Sequence, residues 1–176
     1  MPNTFELIAS YTATGSVSSI DFTSIPSTFT DLCVQFSVRA TNSSSSRAED
    51  TLVVALNNDT TGGNYTVRYL RGNGSGAGSG TATGYAGSYA GEFNGSTSTA
   101  STFTSGMIYL PNYAGSSNKS FSIDIVQEAN QTTAYMQLHA NLWNNTAAVN
   151  RLTFSNYNSN TFAANSTAYL YGVKNA

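Results

Sequence analysis

The chain is poor in the residue types that most folds and most catalytic sites draw on. It has one cysteine, Cys33, so an internal disulfide framework is impossible and a zinc site built on cysteines is excluded. It has one histidine, His139, and three prolines. Charged residues are 9% of the chain, five Asp and four Glu against five Arg and two Lys, for a net charge of −2. Soluble domains usually carry roughly a quarter of their residues as charges. So few cations exclude an electrostatic nucleic-acid footprint. Too little Glu and Lys, with no heptad, excludes a coiled coil. The longest apolar run is Leu52-Val53-Val54-Ala55-Leu56, far short of the ~20 residues of a membrane-spanning helix. The N-terminus, Met1-Pro2-Asn3-Thr4-Phe5-Glu6, has no basic region followed by an apolar stretch, so the expectation is synthesis in a cytoplasm without secretion.

What is present is small and polar. Ser (25), Thr (23), Asn (19) and Gly (15) make up just under half of the 176 residues. Low charge argues against disorder, and a 40% apolar share with many Tyr and Phe is enough to bury a core, so one ordered domain over 1–176 is expected. Nine Asn-x-Ser/Thr sequons, at Asn42, Asn58, Asn64, Asn73, Asn94, Asn118, Asn130, Asn144 and Asn165, are a modest excess over the roughly five that this composition gives by chance, and glycosylation is not expected.

The dominant period is two. Leu32, Val34, Phe36 and Val38 alternate with Cys33, Gln35, Ser37 and Arg39. Phe121, Ile123 and Ile125 alternate with Ser122 and Asp124, and Met136, Leu138, Ala140 and Leu142 alternate with Gln137, His139, Asn141 and Trp143. Similar runs at 5–12, 17–22, 51–56, 65–70, 103–110, 149–154 and 169–173 predict an all-β, antiparallel, jelly-roll-like β-sandwich of about eight to ten strands. Thr14-Gly15-Ser16 predicts a short hairpin between the first two strands, Pro26 ends the second, and residues 57–64 and 112–118 are expected as hairpin loops. Nine of the fifteen glycines lie within 72–95, which is expected as one long loop or arm. Tyr85, Tyr89 and Phe93 on it are candidate anchors for a neighbouring protein. Residues 42–47 read as a second exposed loop.

No catalytic constellation emerges. His139 has no evident nucleophile or acid partner, the carboxylates are scattered, and the glycine-rich stretch holds no phosphate-loop lysine and no nucleophile elbow. The residues therefore predict a non-enzymatic chain without cofactor or metal. Asp31 is expected in a turn and Asn57-Asn58-Asp59 in another, not in a calcium loop. Two jobs suit exposed aromatics among Asn, Ser and Gly: a low-charge protein interface, or a platform that stacks sugars, for which Tyr135, His139 and Trp143 are the candidates.

The two ends of the chain carry a resemblance. Leu7-Ile8-Ala9-Ser10-Tyr11, the run 17–22, the turn Ile25-Pro26-Ser27-Thr28-Phe29-Thr30-Asp31-Leu32 and the ending Leu170-Tyr171-Gly172-Val173-Lys174-Asn175 resemble structural proteins of tailed bacteriophages, a group frequent in marine and cyanobacterial phages. The likeness covers roughly the first forty and last ten residues. It implies a virion surface protein with a sandwich fold and no catalytic residues to carry over. The expected role is a capsid decoration (cement) protein, assembled in the host cytoplasm, binding the major capsid protein and forming a homo-oligomer, for instance a trimer. The alternative is a tail- or head-fibre module that binds host-surface glycans.

Overall fold

A computed structural model describes residues 4–42 and 48–174. The Ser-rich stretch expected as a loop falls at 43–47, outside the described residues. Twelve strands run through the described residues: β1 (Phe5–Thr12), β2 (Ser19–Phe22), β3 (Asp31–Val38), β4 (Glu49–Leu56), β5 (Tyr65–Gly72), β6 (Ala77–Ala82), β7 (Ser88–Asn94), β8 (Thr104–Pro111), β9 (Lys119–Gln127), β10 (Tyr135–Trp143), β11 (Leu152–Asn156) and β12 (Thr167–Val173). They pair antiparallel into an eight-stranded sheet, β1-β12-β3-β8-β9-β10-β5-β6, and a four-stranded sheet, β2-β11-β4-β7. The fold is a jelly-roll-like β-sandwich.

The chain rolls between the layers. β1 and β3 flank β12 in the large sheet, while β2 and β4 flank β11 in the small one. The expected hairpin at Thr14-Gly15-Ser16 is therefore a crossing from one sheet to the other, and so is the turn at 57–64. That turn does use left-handed residues, with Asn57 at φ 51° and Asn58 at φ 57°. The turn at 112–118 joins β8 to β9 as a true hairpin, with Asn112 at φ 48°. Asp31 fixes its start, accepting from the Tyr109 hydroxyl at 2.6 Å and from the Asn112 amide at 2.9 Å. Lys119 closes it from inside: its buried ammonium donates to the carbonyls of Gly115 and Ser117, which satisfies a charge that would otherwise be costly to bury.

Between the sheets, Leu32, Val34, Phe36 and Val38 of β3 and Phe121, Ile123 and Ile125 of β9 point inward as their alternation predicts. They meet Leu52, Val54 and Leu56 of β4 and Leu152 and Phe154 of β11. The Phe36 and Phe154 rings lie 5.3 Å apart across the layers. Such packing leaves no room at Gly106 on β8, opposite Phe36. A Cβ there would sit 2.2 Å from the Phe36 ring and 2.7 Å from the Asp124 carbonyl oxygen.

Two elements differ from the sequence reading. Residues 72–95 are not a loop: β6 adds to the large sheet as its edge and β7 to the small one. Asn73-Gly74-Ser75-Gly76 is the tight turn that starts this excursion, closed by Asn73 N–H to the Gly76 carbonyl and with Gly74 at φ 84°. Strand β10 has its faces reversed. Gln137, His139, Asn141 and Trp143 point inward, and Met136, Leu138 and Ala140 point out.

Overpacking a filled core costs about 1–3 kcal/mol. Gly106→Ala is therefore expected to lower unfolding free energy by that amount in a urea titration, whereas Gly63→Ala, where the added methyl meets nothing within 4 Å, should change it far less.

Candidate functional site

Register explains the reversal of β10. Cross-strand partners in a sheet project to the same side, so Phe121, Ile123 and Ile125 of β9 commit Asn141, His139 and Gln137 of β10 to the interior. Slipping the strand by one residue would turn every one of these outward. At the end of β10, Trp143 is fully enclosed and stacks on Tyr65 with ring centroids 6.3 Å apart. Its indole N–H donates to Asp59 Oδ2 at 2.7 Å. Burial works against ionisation of Asp59, but the bonds from Trp143, Asn64 and the Thr61 amide outweigh it and hold the carboxyl below its ordinary range.

Burying a tryptophan is worth several kcal/mol, yet burying Met136 and Leu138 instead would recover a comparable amount. What tips the balance lies on β7. Ser88 Oγ donates to Asn141 Oδ1 at 2.7 Å, and the Tyr89 hydroxyl lies 3.3 Å from Gln137 Oε1 and 3.1 Å from Glu92 Oε1. Apolar side chains facing β7 would leave Ser88 Oγ unpaired, at ~1–3 kcal/mol, and take one of its two partners from the Tyr89 hydroxyl. β7 comes this close because Gly91, at φ 112°, has no side chain: a Cβ would lie 2.7 Å from Ile125 Cγ2 and 3.2 Å from His139 Nε2.

The sequence-derived candidates fall as follows. Phe93 lies in the core, 5.7 Å from the Phe162 ring, and Tyr89 is buried among Tyr69, Tyr85 and His139. Neither is free to anchor a neighbour, because the segment that carries them is a sheet strand and not an arm. Tyr85 is half-buried and packs on Tyr89 and Tyr157. For the sugar platform, Trp143 and His139 are enclosed, so the three rings do not form an exposed surface. Tyr135 is half-buried, with the Arg71 guanidinium 5.4 Å from its ring centre. Cys33 is a buried free thiol whose burial raises its pKa, which makes it a weak nucleophile. Among the described residues, no three His, Cys, Asp or Glu side chains gather as a metal-binding group.

Sequence reasoning missed what the reversal puts on the outside. The outward face of the large sheet can be read in rows from the register. One row runs Tyr169, Gln35, Met107, Asp124, Leu138, Leu70, Ser79 from β12 to β6. A second runs Thr167, Ser37, Ser105, Val126, Met136, Gly72, Ala77, and a third Tyr171, Cys33, Tyr109, Ser122, Ala140, Arg68, Thr81. On this face Met136 is 69% exposed, Leu70 60%, Leu138 49% and Val126 45%, and they line one shallow apolar groove across β9, β10, β5 and β6. The three rows hold one anion, Asp124, and one cation, Arg68. Among the described residues the small sheet shows no such patch: Val53 and Ala55 of β4 are buried although they alternate with its core-facing Leu52, Val54 and Leu56. A contiguous exposed apolar patch on a folded domain marks an interaction surface.

Compared with known proteins, the chain matches no family model. No curated protein matches it significantly either.

His139 supplies a pH test of this interior. Neither ring nitrogen has a hydrogen-bond partner, and burial pushes the imidazole pKa down to about 4, below its usual 6.5. Between these values the unfolded chain binds a proton that the folded chain excludes. Stability is therefore full above pH ~6.5 and falls as the pH drops toward 4, by on the order of 3 kcal/mol from this group. The stability difference between wild type and His139→Gln, measured by denaturant titration at pH 7 and at pH 4, should shrink by about that amount; a difference independent of pH would contradict it.

Proposed function

We propose that the chain is a non-enzymatic structural protein of a virion, a capsid decoration protein that binds the shell of the major capsid protein. The observation that carries this reading is the broad, nearly uncharged outer face of the eight-stranded sheet, with Met136, Leu70, Leu138 and Val126 exposed on it. A surface of this kind suits association over area rather than chemistry on a small molecule, because its three rows hold aliphatic, aromatic, hydroxyl and amide groups with one carboxylate, Asp124, and one guanidinium, Arg68. The resemblance of the two chain ends to tailed-phage structural proteins supplies the setting. Many copies on a repeated lattice would turn modest single contacts into stable attachment through avidity.

The same composition suits the outer surface of a particle. Asn, Ser and Thr satisfy local turns, as where Asn57 bridges to the Asn150 amide and the Ala148 carbonyl. A glycan-binding fibre module has less support, because only Tyr135 of its three stacking residues reaches the surface.

Copy number distinguishes a cement role from a fibre role. Densitometry of purified particles that contain the chain is expected to give hundreds of copies, in fixed ratio to the major capsid protein; a few dozen or fewer, or none, overturns the assignment.

A further inference from the structure

We propose that the outer face of the large sheet is a self-complementary interface, buried against the same face of a second copy of this chain. The occupant follows from charge placement, area and chemistry.

The Asp124 carboxylate makes no hydrogen bond or ion pair with any described residue. Arg68 bonds only the carbonyl of its neighbour Val67. The two sit diagonally across β10. Asp124 pairs with Leu138, Leu138 with Leu70, and Arg68 with Ala140, so Asp124 and Arg68 are two strands and two residues apart. At ~4.8 Å per strand and ~3.4 Å per residue the separation is roughly 12 Å, too far to pair within one sheet. The midpoint of the diagonal lies over β10, between Leu138 and Ala140. A two-fold axis between two facing sheets, passing through that point across the diagonal, brings each Asp124 opposite the other copy's Arg68. The apolar side chains Leu138, Leu70, Met136 and Val126 then close the centre, and the one anion and the one cation of the three rows neutralise each other. That is the isologous arrangement of two-fold dimers.

The size is adequate. Eight strands at ~4.8 Å spacing and about seven residues at ~3.4 Å give a face of roughly 900 Å², against ~800 Å² per partner in a standard stable interface. Sheets pack face to face at ~10 Å with their facing side chains interdigitated, and the centre of these rows offers Leu138, Leu70, Met136 and Val126 for that. Covering Met136 and Leu138 recovers the burial that β10 gives up by turning its polar side inward.

This dimer goes beyond the role proposed above and assigns to a second copy the face on which that reading rests; the two can fail separately, since a monomer that is nevertheless abundant on particles would leave the decoration reading standing. The test is sedimentation equilibrium of the purified full chain with four proteins: wild type, Asp124→Arg, Arg68→Asp and the double exchange. Both positions are exposed, so each variant should fold, and circular dichroism checks this. Wild type is expected to dimerise; each single exchange should weaken the dimer at least about tenfold, and the double exchange should restore it to within about threefold. A wild type that stays monomeric at about 100 μM, where an interface of this size should associate, overturns the proposal. So does a dimer indifferent to all three exchanges, and a wild-type monomer that binds capsid shells through this face would assign the surface to the capsid protein.

Discussion

A strand has two faces and no third option, and β10 shows what that constraint imposes. Trp143, held by Asp59 and stacked on Tyr65, must be inside. The period of two then carries Asn141, His139 and Gln137 inside with it and drives Met136 and Leu138 into solvent. The rest of the functional picture depends on this one choice. The sandwich has a polar seam along β7 and β10, and its larger sheet has an apolar exterior.

The cost is distributed and incompletely offset. Asn141 and Gln137 find partners on β7, but the imidazole of His139 has none and is held neutral between Tyr69 and Tyr89. Met136 and Leu138 lose their burial. Against both penalties stands a close-packed core, in which Phe36, Phe121, Phe154 and Trp143 are buried, Phe36 leaves Gly106 no room for a methyl, and Ile125 leaves Gly91 none. An exposed face of this kind is what the assembly proposed above would cover.

Ten of the twelve strands were legible in the sequence, because alternation over five to nine residues bounded by Gly, Pro and Asn is a local signal. β3 and β9 also presented the right face, since there the apolar set and the buried set coincide. β6 and β7 were hidden by their glycines. A strand such as Ser88–Asn94 is buried along its whole length, so it shows no alternation, and the glycine that reads as flexibility is there for close approach. The face of β10 could not be read locally at all. Apolar alternation pointed to Met136 and Leu138 as core, whereas the outcome rests on Asp59, Ser88 and Tyr89, residues more than forty positions away. The glycines placed Tyr89 and Phe93 on an arm, and the apolar set of β10 placed His139 and Trp143 on a surface platform. Only the lone Trp143, a residue too large to leave on a strand's outer face without reason, hinted otherwise.

The reversed faces of β10 are tested most directly by a double variant, Met136→Glu with Leu138→Glu. Its unfolding is followed by the fluorescence of Trp143, the only tryptophan, at a submicromolar concentration where each copy is alone. If these side chains point outward, the variant keeps a blue-shifted native emission and an unfolding free energy within about 0.5 kcal/mol per site of the wild type, as exposed positions do. Loss of the cooperative transition, or a red-shifted native spectrum, would contradict the arrangement and return Met136 and Leu138 to the core.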